Sequence, residues 1–186
     1  MKAYFNSFSI LSESELILLD NHVIEKNIKK GDFLIKEGKI CNEIVFIESG
    51  ILRSFYINNT GDEITYCFSF ENQLMSAFSS FITNNPTEEN IQAIVDTKLF
   101  VLKKKDIEVL YENSLAWQKI GLILTELQFV QLEERFVSFL KLSAKQRYEN
   151  LLKNYSRLIN QIPLKYLATY LGITPRHLSR IRKYDL

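Results

Sequence analysis

IPLKYLATYLGITPRHLSRIRK, residues 162–183, reads as two short helices around a tight turn. Pro163 suits the first turn of a helix, where its missing N–H is no loss. Leu164, Leu167, Ala168 and Leu171 share one face, and the small Ala168 lets a second helix approach. Gly172 ends the first helix and Ile173 plugs the corner. Thr174 is a good N-cap, and Pro175 follows it at the position where a helix tolerates proline. In the second helix Leu178 and Ile181 face inward, which leaves Arg176, His177, Ser179, Arg180 and Lys183 outward. A helix of that polarity suits the major groove: its first amides favour phosphate, and outward arginines can donate paired hydrogen bonds to guanine edges. The candidate DNA contacts are Lys165, Thr174, Arg176, His177, Ser179, Arg180, Arg182 and Lys183, with Tyr166 as a further phosphate contact. For His177 a plain surface histidine is an equal reading.

Charge is segregated in the same direction. Lys141 to Leu186 holds ten basic residues against Glu149 and Asp185, a net +8, whereas residues 1–140 carry −7. An acidic body joined to a basic end points to a polyanion partner at that end.

Upstream, residues from Asp106 to about Leu140 are helical. Ala116, Ile120, Ile123, Leu127, Val130, Glu134 and Val137 alternate steps of four and three, a coiled-coil seam with one charged interruption. Leu115, Leu122, Phe129 and Phe136 form a second apolar stripe spaced by seven. Two stripes call for two partners, one the body of the same chain and one the same helix in a second subunit. The dimer interface is assigned to Ile120, Ile123, Leu127, Val130 and Val137; the alternative is one wide stripe buried within a single chain. Ser143 and Gln146 form a capping box for a further helix to about Asn154. No Pro- or Gly-rich linker intervenes, so the two ends of the chain are expected to couple through helix packing.

From about Ile24 to Leu102 the pattern is short β-branched or aromatic runs: 33–35, 44–47, 51–56 and 64–68. Gly31, Gly38, Gly50 and Gly61 fall at the reversals between them. Residues 91–102 read as a final strand pair turning at Asp96-Thr97-Lys98. Several short strands with close turns imply a small antiparallel barrel or roll. Before them Ser12 and Glu15 box the start of a short helix whose apolar side is Leu16, Ile17 and Leu19.

Other classes are disfavoured. Cys41 and Cys67 are no Cys-x-x-Cys pair and read as buried reduced thiols. His22 and His177 are the only histidines, too few for the clustered ligands of a metal-dependent roll. No glycine-rich phosphate loop and no spaced nucleophile–base set occurs, so neither catalysis nor a metal or cofactor is expected. No apolar run approaches the roughly 18–20 residues that span a bilayer, and the first residues lack a leader pattern. A cytoplasmic location without membrane contact is the expectation.

On these residues the chain resembles the Crp/Fnr family of regulators. The likeness is carried by Gly31-Asp32, Gly38, Ile44 to Ile47, Gly50, Gly61-Asp62, and Leu167-Ala168 through Gly172 to Leu178 to Ile181. The resemblance implies an α+β chain in three parts: an antiparallel β-roll like a cyclic-nucleotide-binding domain at 1–112, a long dimerisation helix at 113–140, and a helix-turn-helix at 141–186. It implies a homodimer on double-stranded DNA, with RNA polymerase and a small-molecule effector as further partners, and it places Arg180 where the family reads a guanine. Pro175-Arg176 replaces the family's Arg-Glu pair, so base preference should differ.

Two departures matter. The family's pocket pairs a Gly-Glu-Leu with an arginine ten residues on; counted back from Ala93, those positions hold Ser76-Ala77-Phe78 and Thr87. The candidate ligand pocket is therefore Ser76, Ala77, Thr87 and Glu88, without acid or arginine at the expected places. Glu88 and Glu89 would repel an anion, so no response to cyclic nucleotides is expected. The chain also stops three residues after Lys183, so a helix-turn-helix without the family's wing hairpin is expected. The competing reading is a dimeric ligand-binding or interaction module whose helix-turn-helix no longer binds DNA.

Overall fold

The computed structural model describes residues 1–155 and 159–184. Arg157 and Asp185, counted in the charge of the C-terminal end, lie outside the described residues, as does Leu186; the expectation about the wing rests partly on these last residues.

Two N-terminal helices, α1 (Lys2–Asn6) and α2 (Glu13–Asp20), lead into the strands. The Ser12–Glu15 capping box is present at α2, with Ser12 N–H donating to Glu15 Oε2 at 2.8 Å. Strands β1 (Val23–Ile28), β2 (Phe33–Ile35), β3 (Glu43–Ser49), β4 (Leu52–Ile57), β5 (Glu63–Ser69) and β6 (Leu74–Met75) precede a short helix α3 (Phe78–Thr83). Strands β7 (Asn90–Ala93) and β8 (Thr97–Lys103) follow. The roll is two antiparallel four-stranded sheets, ordered β1-β8-β3-β6 and β2-β7-β4-β5. Inward residues of both sheets, such as Val45, Ile47, Leu52, Ile91, Leu99 and Val101, make the main core.

One sequence expectation fails here. β7 and β8 are consecutive but do not form a hairpin; β7 pairs with β2 and β4, and β8 with β1 and β3. Thr97 and Lys98 already belong to β8, so the chain changes sheet just before them. Gly50 shows how tightly this corner closes: at φ +113 it has no room for a side chain, because a Cβ would lie 2.8 Å from the Thr97 backbone.

Helix α4 (Lys104–Asn113) and the 27-residue α5 (Leu115–Lys141) are separated at Ser114, whose hydroxyl caps α5 by accepting from Trp117 N–H at 3.2 Å. Trp117 and Ile120 sink into the roll's core, where the Trp117 ring meets Phe5 edge-on at 5.2 Å. Ile120 therefore has no free surface for a second subunit, contrary to its assignment from sequence. The stripe that stays outside is the other one: Leu115, Leu122, Phe129 and Phe136 are 80, 59, 67 and 64% exposed. Leu127 and Val130 also remain exposed, beyond the reach of the roll, and Ile123 and Val137 are half-buried.

The chain ends with α6 (Ala144–Tyr155), a 3-10 turn (Ile159–Gln161), α7 (Leu164–Tyr170) and α8 (Pro175–Tyr184). The box at α6 forms, with Ser143 N–H donating to Gln146 Oε1 at 2.9 Å and Gln146 N–H to Ser143 Oγ at 3.3 Å.

Candidate nucleic-acid interface

Helices α7 and α8 form the expected braced pair. Leu167, Ala168, Leu171 and Leu178 are almost wholly enclosed, with Ile162 and Ile181 beside them. Gly172 turns the chain at φ +70, and Ile173 N–H closes the end of α7 by donating to Ala168 O at 3.0 Å. Thr174 caps α8, its hydroxyl accepting from His177 N–H at 3.2 Å.

Two arginines outside the motif hold this geometry. Arg147 donates to Leu142 O at 2.5 Å and Leu171 O at 2.8 Å, and Arg135 of α5 donates to Tyr170 O at 2.9 Å. Carbonyls at the end of a helix lack partners within it, and cations are favoured there. Burial, and then the nearby Arg135, lower the Arg147 pKa from its ordinary value. Sequence reasoning missed both roles, because the Leu171 and Tyr170 carbonyls they satisfy at the end of α7 come from distant positions.

On α8 the outward set is as expected: Arg176, His177, Ser179, Arg180 and Lys183 are exposed. Arg176, Arg180 and Lys183 stand on one face at i, i+4 and i+7, and among the described residues no carboxylate pairs with any of them. Ser179 returns its hydroxyl to Pro175 O at 3.0 Å. Thr174 and Lys165 are exposed at the edges of the same surface. Arg182 does not join it: it lies four residues after the inward Leu178, and its Nε donates to the Tyr148 hydroxyl at 3.1 Å. Tyr166 also leaves the candidate set, because its ring covers the guanidinium of Arg53, 3.4 Å from ring centroid to Cζ.

That contact belongs to a broader junction. Arg53 on β4 is 0% exposed, lies between the rings of Phe55 and Tyr166, and donates to Glu63 at 2.5 Å and Gln92 at 2.9 Å. Thr65 N–H donates to Thr169 Oγ1 at 3.2 Å. Tyr170 packs on Phe68 at 5.1 Å and Tyr155 stacks on Phe70 at 4.2 Å. Ile51, Phe68, Phe70 and Ile94 of the roll share one apolar cluster with the interior of the helix pair. The two ends of the chain thus meet sheet face to helix, in addition to the helix contacts that Arg135 and Phe139 of α5 make at Tyr170 and Gly172.

The residues singled out as a ligand pocket do not gather. Ser76 donates to Glu43 O at 2.9 Å, Ala77 is enclosed in the core, and Glu88 is exposed. Thr87 is buried and spends its hydroxyl on Glu89 N–H at 3.1 Å. The acid that turns inward is Glu89, 8% exposed, with Ser54 donating to it. Burial raises its carboxyl pKa, and the Ser54 hydrogen bond opposes that. The ring of Tyr56 lies 5.7 Å from that of Tyr66. Burial, then the charges of Glu89 and Glu88, push the Tyr56 phenol up to about 12.

Residues 25–114 match the cyclic nucleotide-binding domain family. No curated protein matches the chain in sequence. Among solved structures, FixK2 from Bradyrhizobium japonicum superposes with a TM-score of 0.76 at 16% identity, over 87% of this chain and 83% of that one. A transcriptional regulator of the Crp/Fnr family from Eubacterium rectale gives 0.73 at 21% identity, over 98% and 87%. The c-di-GMP responsive global regulator CLP of Xanthomonas campestris gives 0.70 at 13% identity, over 93% and 91%. Residues 25–114 are thus similar to the cyclic nucleotide-binding domain family, and the chain as a whole shares the fold of these solved structures.

Proposed function

We propose that the protein is a homodimeric, sequence-specific DNA-binding regulator of transcription whose roll does not respond to cyclic nucleotides. The observation that carries this is the outer face of α8, where Arg176, Arg180 and Lys183 stand exposed and unpaired among the described residues on a helix fixed by Thr174, Leu178 and Ile181. Two such helices, one per protomer, would enter successive major grooves at half-sites roughly 34 Å apart in an inverted repeat. The exposed stripe on α5 offers an apolar face for the second subunit. Against cyclic nucleotides stand the inward Glu89, which accepts from the Ser54 hydroxyl, and the internal use of Thr87, since neither supplies positive charge for a buried anion. Contact with RNA polymerase, a small-molecule effector and a cytoplasmic location belong to the same reading.

The test is binding of the purified protein to an operator selected from random duplex DNA. Arg180→Ala should cost about 1–3 kcal/mol at one base position, and Lys165→Ala should weaken all sequences alike and reduce the salt dependence by about one phosphate contact. Wild-type binding by both variants would reject the docking. No affinity for any duplex at low salt would favour an interaction module instead.

A further inference from the structure

A cavity of about 370 Å³ opens in the roll between β2 and the loop from Lys36 to Asn42. None of Ser76, Ala77, Thr87 or Glu88 lines it. Its walls are largely aliphatic, from Leu34, Ile35, Ile40 and Ile91, with Phe33 as the one ring. That size lies within the roughly 300–1,000 Å³ usual for small-molecule sites, as does an apolar lining with a few polar groups.

The charged groups around it are two lysines and one acid. Lys36 and Lys39 both line the cavity and both are exposed. Neither is ion-paired to a carboxylate among the described residues. Glu43, the acid on the wall, is already matched by Lys26 at 3.2 Å and by Lys103. The ring of Phe33 is taken by the Lys36 ammonium, 4.5 Å from its centroid, so it offers little face for an aromatic guest to stack upon. An aliphatic pocket with two ammonium groups at its mouth that, among the described residues, no carboxylate neutralises matches an alkyl chain ending in one negative charge.

The loop that forms the mouth is tied on its other side to elements that reach the long helices. Thr87 N–H donates to Lys39 O and Gly38 N–H to Thr87 O, both at 2.8 Å. Cys41 N–H donates to Ser80 Oγ of α3 at 2.9 Å. Lys104 N–H, at the start of α4, donates to Asn42 O at 2.8 Å. A guest that moves the loop therefore pulls on α3 and on the first turn of α4, directly ahead of α5.

We propose that this cavity is a binding site for a medium-chain aliphatic carboxylate, held by its chain against Leu34, Ile35, Ile40 and Ile91 and by its headgroup between Lys36 and Lys39. That the occupant regulates DNA binding rests on the function proposed above; that the cavity holds it does not.

The experiment is calorimetric titration of the full chain, without DNA, with decanoate kept below its micellar range and with decanol as the uncharged probe. The expected result is one decanoate per chain, bound at least tenfold more weakly by Lys36→Glu/Lys39→Glu. Decanol affinity should stay within twofold of wild type in that variant. Leu34→Trp, checked for native circular dichroism, should abolish binding of both probes. Hydrogen exchange at the Thr87 and Lys104 amides should change on adding decanoate. Absence of decanoate binding, or binding that the double charge reversal leaves unchanged, would overturn the site.

Discussion

Replacing Gly172 with alanine tests the geometry on which α8 depends. The residue sits at φ +70, where an L-residue with a Cβ loses about 1–2 kcal/mol relative to glycine. The new Cβ would also stand 2.9 Å from Cε1 of Phe139 on α5, well inside contact distance. The Phe139 ring is exposed on one side and can tilt, so the overlap belongs at the low end of overpacking costs, about 1 kcal/mol. Reduced freedom of the unfolded chain returns about 0.5 kcal/mol. The net expectation is a loss of about 2 kcal/mol, read as a lower midpoint in denaturant unfolding followed by circular dichroism. DNA affinity should fall at temperatures where the weakened helix pair begins to open. The two causes can be separated in a double-mutant cycle, because Phe139→Ala removes the overlap and leaves the backbone cost. A coupling of about 1 kcal/mol is expected between them. If Gly172→Ala unfolds within 0.5 kcal/mol of wild type, the turn does not have the left-handed form described. Zero coupling would mean that α5 does not press on the turn.

Two further outcomes follow from other parts of the molecule. Glu89 keeps its proton in the native state to higher pH than the ordinary 4.5, because burial raises its pKa, so the native state binds more protons than the unfolded one just above that pH. Its contribution to stability is fully present below about 4.5 and is lost as pH rises through the native value; Glu89→Gln should flatten that part of the stability–pH curve, and an unchanged slope would show that the carboxyl is not held in a dry site. In α5, Phe129→Glu should shift the protein to monomer in sedimentation at micromolar concentration, whereas Val130→Glu should shift it far less, and the reverse ranking would return the interface to the seam read from sequence.

The α7–α8 pair was legible because its signals are local. A capping threonine, a turn glycine and apolar positions four apart lie within a few residues of the contacts they make. Arg182 was legible too, at i+4 from the inward Leu178, but its charge outweighed its phase in the reading. The capping boxes at Ser12 and Ser143 were read correctly for the same local reason. Strand pairing was not legible at β7 and β8, since two strands near a turn look like a hairpin whether or not the chain changes sheets between them. Nor could spacing alone decide which stripe of α5 faces its own roll, because both repeat every seven residues. Trp117, the largest side chain near the start of α5, settles it by filling the core beside Ile120. The pocket residues misled because their positions came from an ungapped count, and inward or outward facing along 76–89 depends on α3, which the pattern did not announce.

The burial of Arg53 under Tyr166 has a practical outcome for anyone wishing to borrow the C-terminal helices. Excising residues 141–186 would leave Tyr155, Tyr166 and Tyr170 without the rings and guanidinium they rest on, turning part of a shared interior into sticky surface. Such a fragment should self-associate, and a chimera that keeps it must inherit β4 and β5 as well. Evolutionary swapping of this segment between relatives would meet the same barrier.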